Sequence, residues 1–332
     1  MGIWVYWVII SAGMVLSAVL FVRETRGAGV PARQAALGWV AGAGTGVLCA
    51  KAIYVLLFCW IAAGDFSASR WLSLMPEEFS FAAGCAGFCL GPVIVCRKHI
   101  PDLTDRLVVP GCVLAAVLRF GESVLAASQV SYVGVTDIFR FRTGEGFLNF
   151  FPLTVPFSRK YSFLCVCTVA AALILLVILH LKLHRRGRGR PEPKGMLFER
   201  GALLLCCVRL FLETTGMKAK FYFVFVDQAL CGIFILALII RMGTRLKKYA
   251  HRFPKWTLVF AVLMMAVNGV TQFLMDKPGK LEKLLPEGVY LWVNDNMQAL
   301  GYAVLFVTAA LIAAAGLRLL KRTMKAIPRY SR

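Results

Sequence analysis

Apolar positions along this chain run in long stretches, not in the alternation of a half-buried strand or the three-and-four spacing of a soluble amphipathic helix. Nine stretches are long enough to cross a bilayer, at about 3–22, 38–63, 80–97, 107–126, 162–183, 196–213, 221–241, 256–275 and 297–318. The pattern predicts an all-α fold, a polytopic transmembrane helical bundle of about nine spans. Residues 1–250 form a seven-span core, and residues 251–332 add a two-span C-terminal region with a basic tail. The longest connection between spans, about 127–161, is rich in aromatics and carries Arg140, Arg142, Glu145, Arg159 and Lys160. A connection of that length is expected to cover a site or dock a partner.

Composition agrees with this reading: 59% of the 332 residues are hydrophobic, and the mean hydropathy is +0.72. A formal net charge of +21 would suggest nucleic acid in a soluble protein, but the position of the basic residues excludes that partner. They fall in alternate loops: Arg23, Arg26 and Arg33; Arg97 and Lys98; the run from Lys182; Arg241, Arg245, Lys247, Lys248 and Arg252; and the tail from Arg318. By the positive-inside rule the N-terminus lies outside and the C-terminus in the cytoplasm. Because Arg23 and Arg26 follow the first apolar run, that run reads as a retained span, not a cleaved signal peptide.

Eleven cysteines are scattered through the spans without a CxxC pair and read as packing residues. His180 and His184 share a helix face but adjoin a run of arginines, so they read as a solvated helix end, and no metal is expected. Gly42, Gly44 and Gly46 lie within a span and Gly87 with Gly91 forms GxxxG, which points to close helix packing.

The informative positions are the charges that interrupt apolar runs. Arg119 and Glu122 stand three apart in span 4, and Arg209 and Glu213 four apart in span 6. Each pair shares a helix face. A charge at such depth costs about 2.5–3.5 kcal/mol on insertion scales, so these groups must meet protein, water or a ligand. At about 1.5 Å per residue, Arg119 lies roughly 18 Å from the cytoplasmic boundary, and Arg209, Lys51, Asp227 and Gln228 come to similar heights. Tyr54 stands a turn beyond Lys51. Two readings follow: internal ion pairs that fix helix packing, or a layer in which two arginine forks and Lys51 hold a phosphate while Tyr54 and Gln228 donate further bonds.

In series, these residues resemble the prolipoprotein diacylglyceryl transferases, over about residues 1–245. The carriers are Gly46 to Leu56 around Lys51 and Tyr54, against Gly-Ala/Gly-Arg-x-x-Tyr-Val-Leu; Phe79 to Gly87, against Ser-x-His-Gly-Gly-x-x-Gly; and Asp105 ahead of Pro110. Leu118 to Glu122 follows, against Gly-Arg-x-Gly-Asn; then Arg209 to Glu213, against Arg-Phe-x-x-Glu; and Asp227 to Leu230, against Gly-Gln-x-x-Ser. The chain departs from the pattern at Ala82, where the family has histidine, at Ala83 for glycine, at Glu122 for asparagine and at Lys51 for arginine. The family's Asn-x-Glu is absent after Glu122, and spans 8 and 9 lie beyond its usual end.

The resemblance implies a bacterial plasma-membrane enzyme that moves diacylglycerol from phosphatidylglycerol to the cysteine thiol of a lipobox. Its partners would be an anionic phospholipid, a prolipoprotein signal peptide and the lipid bilayer, with no cofactor because the lipid is the donor. It implies head-group binding by Arg119 and Arg209. Glu122 becomes the candidate base for the thiol, provided that burial raises its pKa, and Glu78 a poorer one. Lys51, Tyr54, Glu213, Gln228 and Asp105 are the expected substrate-binding residues. Two alternatives stand beside it: a catalytically silent relative that binds anionic phospholipid or a lipoprotein precursor, and a membrane transporter, since ionisable residues at mid-membrane also mark substrate pathways.

Overall fold

The computed structural model describes residues 2–26, 29–57, 68–73, 78–95, 100–128, 147–150, 153–156, 173–182, 193–212, 220–221, 224–250, 253–276, 279–282 and 285–327. The helices are α1 (Gly2–Arg26), α2 (Ala32–Tyr54), α3 (Ala68–Leu72), α4 (Phe81–Val95), α5 (Ile100–Ser128), α6 (Leu173–Lys182), α7 (Met196–Leu212), α8 (Val226–Ala250), α9 (Lys255–Asp276), α10 (Gly279–Glu282) and α11 (Glu287–Ala326). Two antiparallel ladders, absent from the all-α expectation, lie in the connections. One pairs β1 (Phe147–Phe150) with β2 (Leu153–Pro156); the other pairs β3 (Lys220–Phe221) with β4 (Val224–Phe225).

Among the described residues, five helices are long and apolar enough to cross a membrane: Trp4–Arg26, Ala32–Leu57, Val226–Ala250, Lys255–Met275 and Leu300–Ala326. With Val8, Val15, Val19, Val262, Leu263 and Val270 among the large apolar side chains left exposed on them, the chain is a multi-pass helical membrane protein whose outer surface is solvated by lipid. The expected count of nine spans is not reached by this measure. Phe81–Val95 and Leu173–Lys182 are apolar but shorter. α7 has 17 helical residues and carries Glu199, Arg200 and Arg209, while α5 carries Asp105, Arg106 and Arg119. Predicted span 5 lies partly, and the loop at 127–161 mostly, outside the described residues.

Side-chain contacts fix the helix directions. α1 is antiparallel to α5: Glu24 pairs with Arg106 at 3.4 Å, Ser17 donates to the Pro110 carbonyl at 3.1 Å, and Gly121 packs beside Tyr6 and Ile10. α2 runs antiparallel to α4 at very close range, because Gly42 and Gly46 meet Gly84, Phe88 and Gly91 with no side chain between them. Thr45 seals this seam by donating to the Gly87 carbonyl at 2.7 Å. α7 lies parallel to α5 with a constant offset of 93 residues, seen where Phe198 meets Asp105 and Leu212 meets Arg119.

Asp105 belongs to one end of that pair. Its carboxylate accepts from the amides of Gly195 and Phe198, both at 2.8 Å, and so caps the N-terminus of α7 from a neighbouring helix. At the same end Glu199 of α7 pairs with Arg241 at 2.8 Å and Arg245 at 3.0 Å on α8. The basic ends of α1, α8 and α11 therefore share one face of the bundle. A single apolar core holds Leu203, Cys207 and Leu210 of α7, Ile235, Ile239 and Met242 of α8, Ala261 of α9, and Ile312 and Leu319 of α11. The C-terminal helices are thus built into the bundle, with the core running across position 250.

Candidate functional site

The face away from the basic ends holds a layer of buried polar groups centred on residues 78–82. Ser80 is the N-cap of α4, its hydroxyl oxygen accepting from the Ala83 amide at 3.2 Å. From across the bundle, the Asp227 carboxylate accepts from the Ser80 hydroxyl, from the Phe81 amide at 2.8 Å and from the Ala82 amide at 3.2 Å. Gly84 completes the turn through the Ser80 carbonyl at 3.0 Å. The first amides of α4 are all satisfied, and a negative charge sits at the positive end of its dipole.

Two cations flank this turn. Arg209 lies 3.6 Å from the Asp227 carboxylate and stacks its guanidinium over the Phe81 ring at 4.6 Å. Lys51 forms a buried ion pair with Glu78, donates to the Ser73 carbonyl at 2.7 Å and faces the rings of Phe79 at 5.0 Å and Tyr54 at 5.6 Å. Backbone joins the two halves, for the Ser80 amide donates to the Ala50 carbonyl at 3.0 Å. Glu78 holds Lys51 in place, a role different from the thiol base weighed from sequence.

Arg119, 2% exposed, donates to the Leu212 carbonyl at 3.4 Å, in the last turn of α7, where carbonyls lack helical partners. Given the 93-residue offset between α5 and α7, Arg209 lies level with Ala116. Arg119 therefore stands one turn, about 4.5 Å, further along. The structure brings Lys51, Tyr54, Arg119, Arg209 and Gln228 to this end of the bundle. It does not bring Asp105, which is spent on α7 at the opposite end. Glu213 and the side chain of Glu122 lie outside the described residues.

Gln228, expected to donate to a ligand, instead donates its amide hydrogens to Asn268 Oδ1 at 2.8 Å. Asn268 donates to Thr308 Oγ1 at 3.1 Å, and Thr308 to the Leu305 carbonyl at 3.0 Å. This buried chain across α8, α9 and α11 was missed in the sequence, although an asparagine inside an apolar span is a signal for it. Ser80 was missed too, though a serine just before an apolar helical run is a cap signature. Among the described residues no group of histidine, cysteine and acidic side chains has the arrangement of a metal site. No family model, curated protein or solved structure matches the chain.

Proposed function

We infer that this chain is a divergent phosphatidylglycerol:prolipoprotein diacylglyceryl transferase with nine membrane crossings, its N-terminus outside and its C-terminus cytoplasmic in a bacterial plasma membrane. The observation that carries this reading is the burial of Arg119 and Arg209 one turn apart on parallel helices, where ionisable groups mark function by default. A phosphate oxygen is a strong, charge-assisted acceptor for a guanidinium fork, and two such forks stand within one turn of each other here. In the reaction, the lipobox sulfur bonds to the glyceryl carbon as the bond from that carbon to the phosphate oxygen breaks. The thiol proton passes to Glu122, and the two arginines take up charge on the departing glycerol phosphate.

The test is a lipobox reporter in cells depleted of their own transferase, followed by mass. The diacylglyceryl adduct is expected with this chain and lost with Arg119→Ala and with Glu122→Gln; no adduct from the unaltered chain overturns catalysis. A second reading has its own support, from Ala82. Where the family has a proton-accepting histidine, this chain has a buried methyl whose amide is bound to Asp227. A silent relative would retain phosphatidylglycerol and leave the reporter unmodified.

A further inference from the structure

The direction of the buried polar chain sets what Gln228 has left to offer. Thr308 has a single hydroxyl proton and gives it to the Leu305 carbonyl within its own helix. Its oxygen therefore presents only lone pairs to α9, and Asn268 must turn its amide hydrogens toward it. That leaves Asn268 Oδ1 facing α8, and Gln228 turns its own amide hydrogens to meet it. At the end of the chain stands Gln228 Oε1, on a residue 4% exposed and with no hydrogen-bond partner among the described residues. An acceptor buried in that state is costly unless something donates to it. It lies in the first turn of α8, one residue from Asp227.

We propose that α9 and α11 act on the site through Gln228: the Asn268–Thr308 pair holds its amide so that the carbonyl oxygen, not the NH2 group, faces a ligand, and the site selects phospholipid head groups that donate a hydrogen bond. This rests on the phosphate-binding reading above and deepens it. Arg119, Arg209 and Lys51 answer to the charge that all anionic phospholipids share. Gln228 answers to what lies beyond the phosphate. Asn268 and Thr308 are positioning residues, and the two C-terminal helices become part of the recognition apparatus.

The test uses the full chain in lipid nanodiscs with native mass spectrometry, presenting phosphatidylglycerol against phosphatidylmethanol. Both carry one negative charge, but only the first has head-group hydroxyls. The unaltered chain is expected to retain phosphatidylglycerol about fivefold more strongly, the worth of one net hydrogen bond. Thr308→Ser keeps the relay and the preference. Thr308→Val, of equal size but unable to accept, frees Asn268 to turn over and give its hydrogens to Gln228 Oε1, so both lipids are retained alike. Phosphatidylethanolamine, tested in a third arm, shows whether an ammonium serves as well as a hydroxyl, and its retention above phosphatidylmethanol supports the same selection. A preference unchanged in Thr308→Val, or equal retention by the unaltered chain, overturns the inference while leaving the phosphate site standing. Retention of no lipid overturns the phosphate site and the inference with it.

Discussion

Asp227 and Ser80, 147 positions apart, are joined side chain to side chain in the buried layer, so that the carboxylate opening one helix caps the start of another. The same carboxylate faces Arg209. One group thus serves as helix cap and as counter-ion, and the two duties separate by mutation. Asp227→Asn weakens the cap and removes this buried counter-ion of Arg209 at once, and is expected to cost about 3–5 kcal/mol. Ser80→Ala removes a cap alone and is expected to cost about 1 kcal/mol. Thermal unfolding of the two variants in detergent checks the order.

The α2–α4 seam makes a sharper structural prediction. A methyl group on Gly91 would overlap the backbone of Gly42, and one on Gly42 would lie 2.7 Å from the Phe88 carbonyl oxygen. Gly91→Ala must force the helices apart and abolish monodisperse folded protein in size-exclusion chromatography. Gly44→Ala, two positions from Gly42 with open space around it, is expected to hold or raise stability, by up to about 1 kcal/mol.

Lys51 and Glu78 test whether the layer is more than packing. Lys51→Met alone strands a buried carboxylate and lowers the melting temperature, whereas Lys51→Met with Glu78→Met restores it. The double variant is expected to fold normally yet retain less anionic phospholipid in nanodiscs than the unaltered chain. Undiminished retention would assign the pair to architecture alone.

Asp105 gives the opposite expectation. Asp105→Asn weakens the cap on α7 and lowers stability by about 1 kcal/mol, because an amide accepts from two backbone hydrogens less well than a carboxylate. Since it sits at the far end of the bundle from Arg119, lipid retention at fixed temperature is expected to stay unchanged.

The helical membrane architecture was legible because the bilayer dictates both the length of an element and its outward chemistry. Heights were legible for a related reason: a fixed rise per residue carries Lys51, Arg119, Arg209 and Gln228 to one end of the bundle whatever their neighbours are. Partners were not. Spacing gave Arg209 a carboxylate four residues on, yet among the described residues its counter-ion is Asp227, placed there by the packing of α8 against α7. Nor does the sequence near Gln228 reveal which way its amide faces, since that follows from a relay with two steps of 40 residues each. Among the described residues, span counting by apolar length also fell short at α7, which has 17 helical residues, and at Phe81–Val95.

The 40 residues of α11 have a geometric consequence of their own. Its apolar portion, Leu300–Ala326, is enough to traverse the bilayer. The preceding residues, 287–299, continue the same helix for roughly 20 Å toward the end remote from the arginine-rich tail. One unbroken rod therefore ties the buried layer at Thr308 to the basic end, so that a tilt imposed at either tip is felt along its whole length.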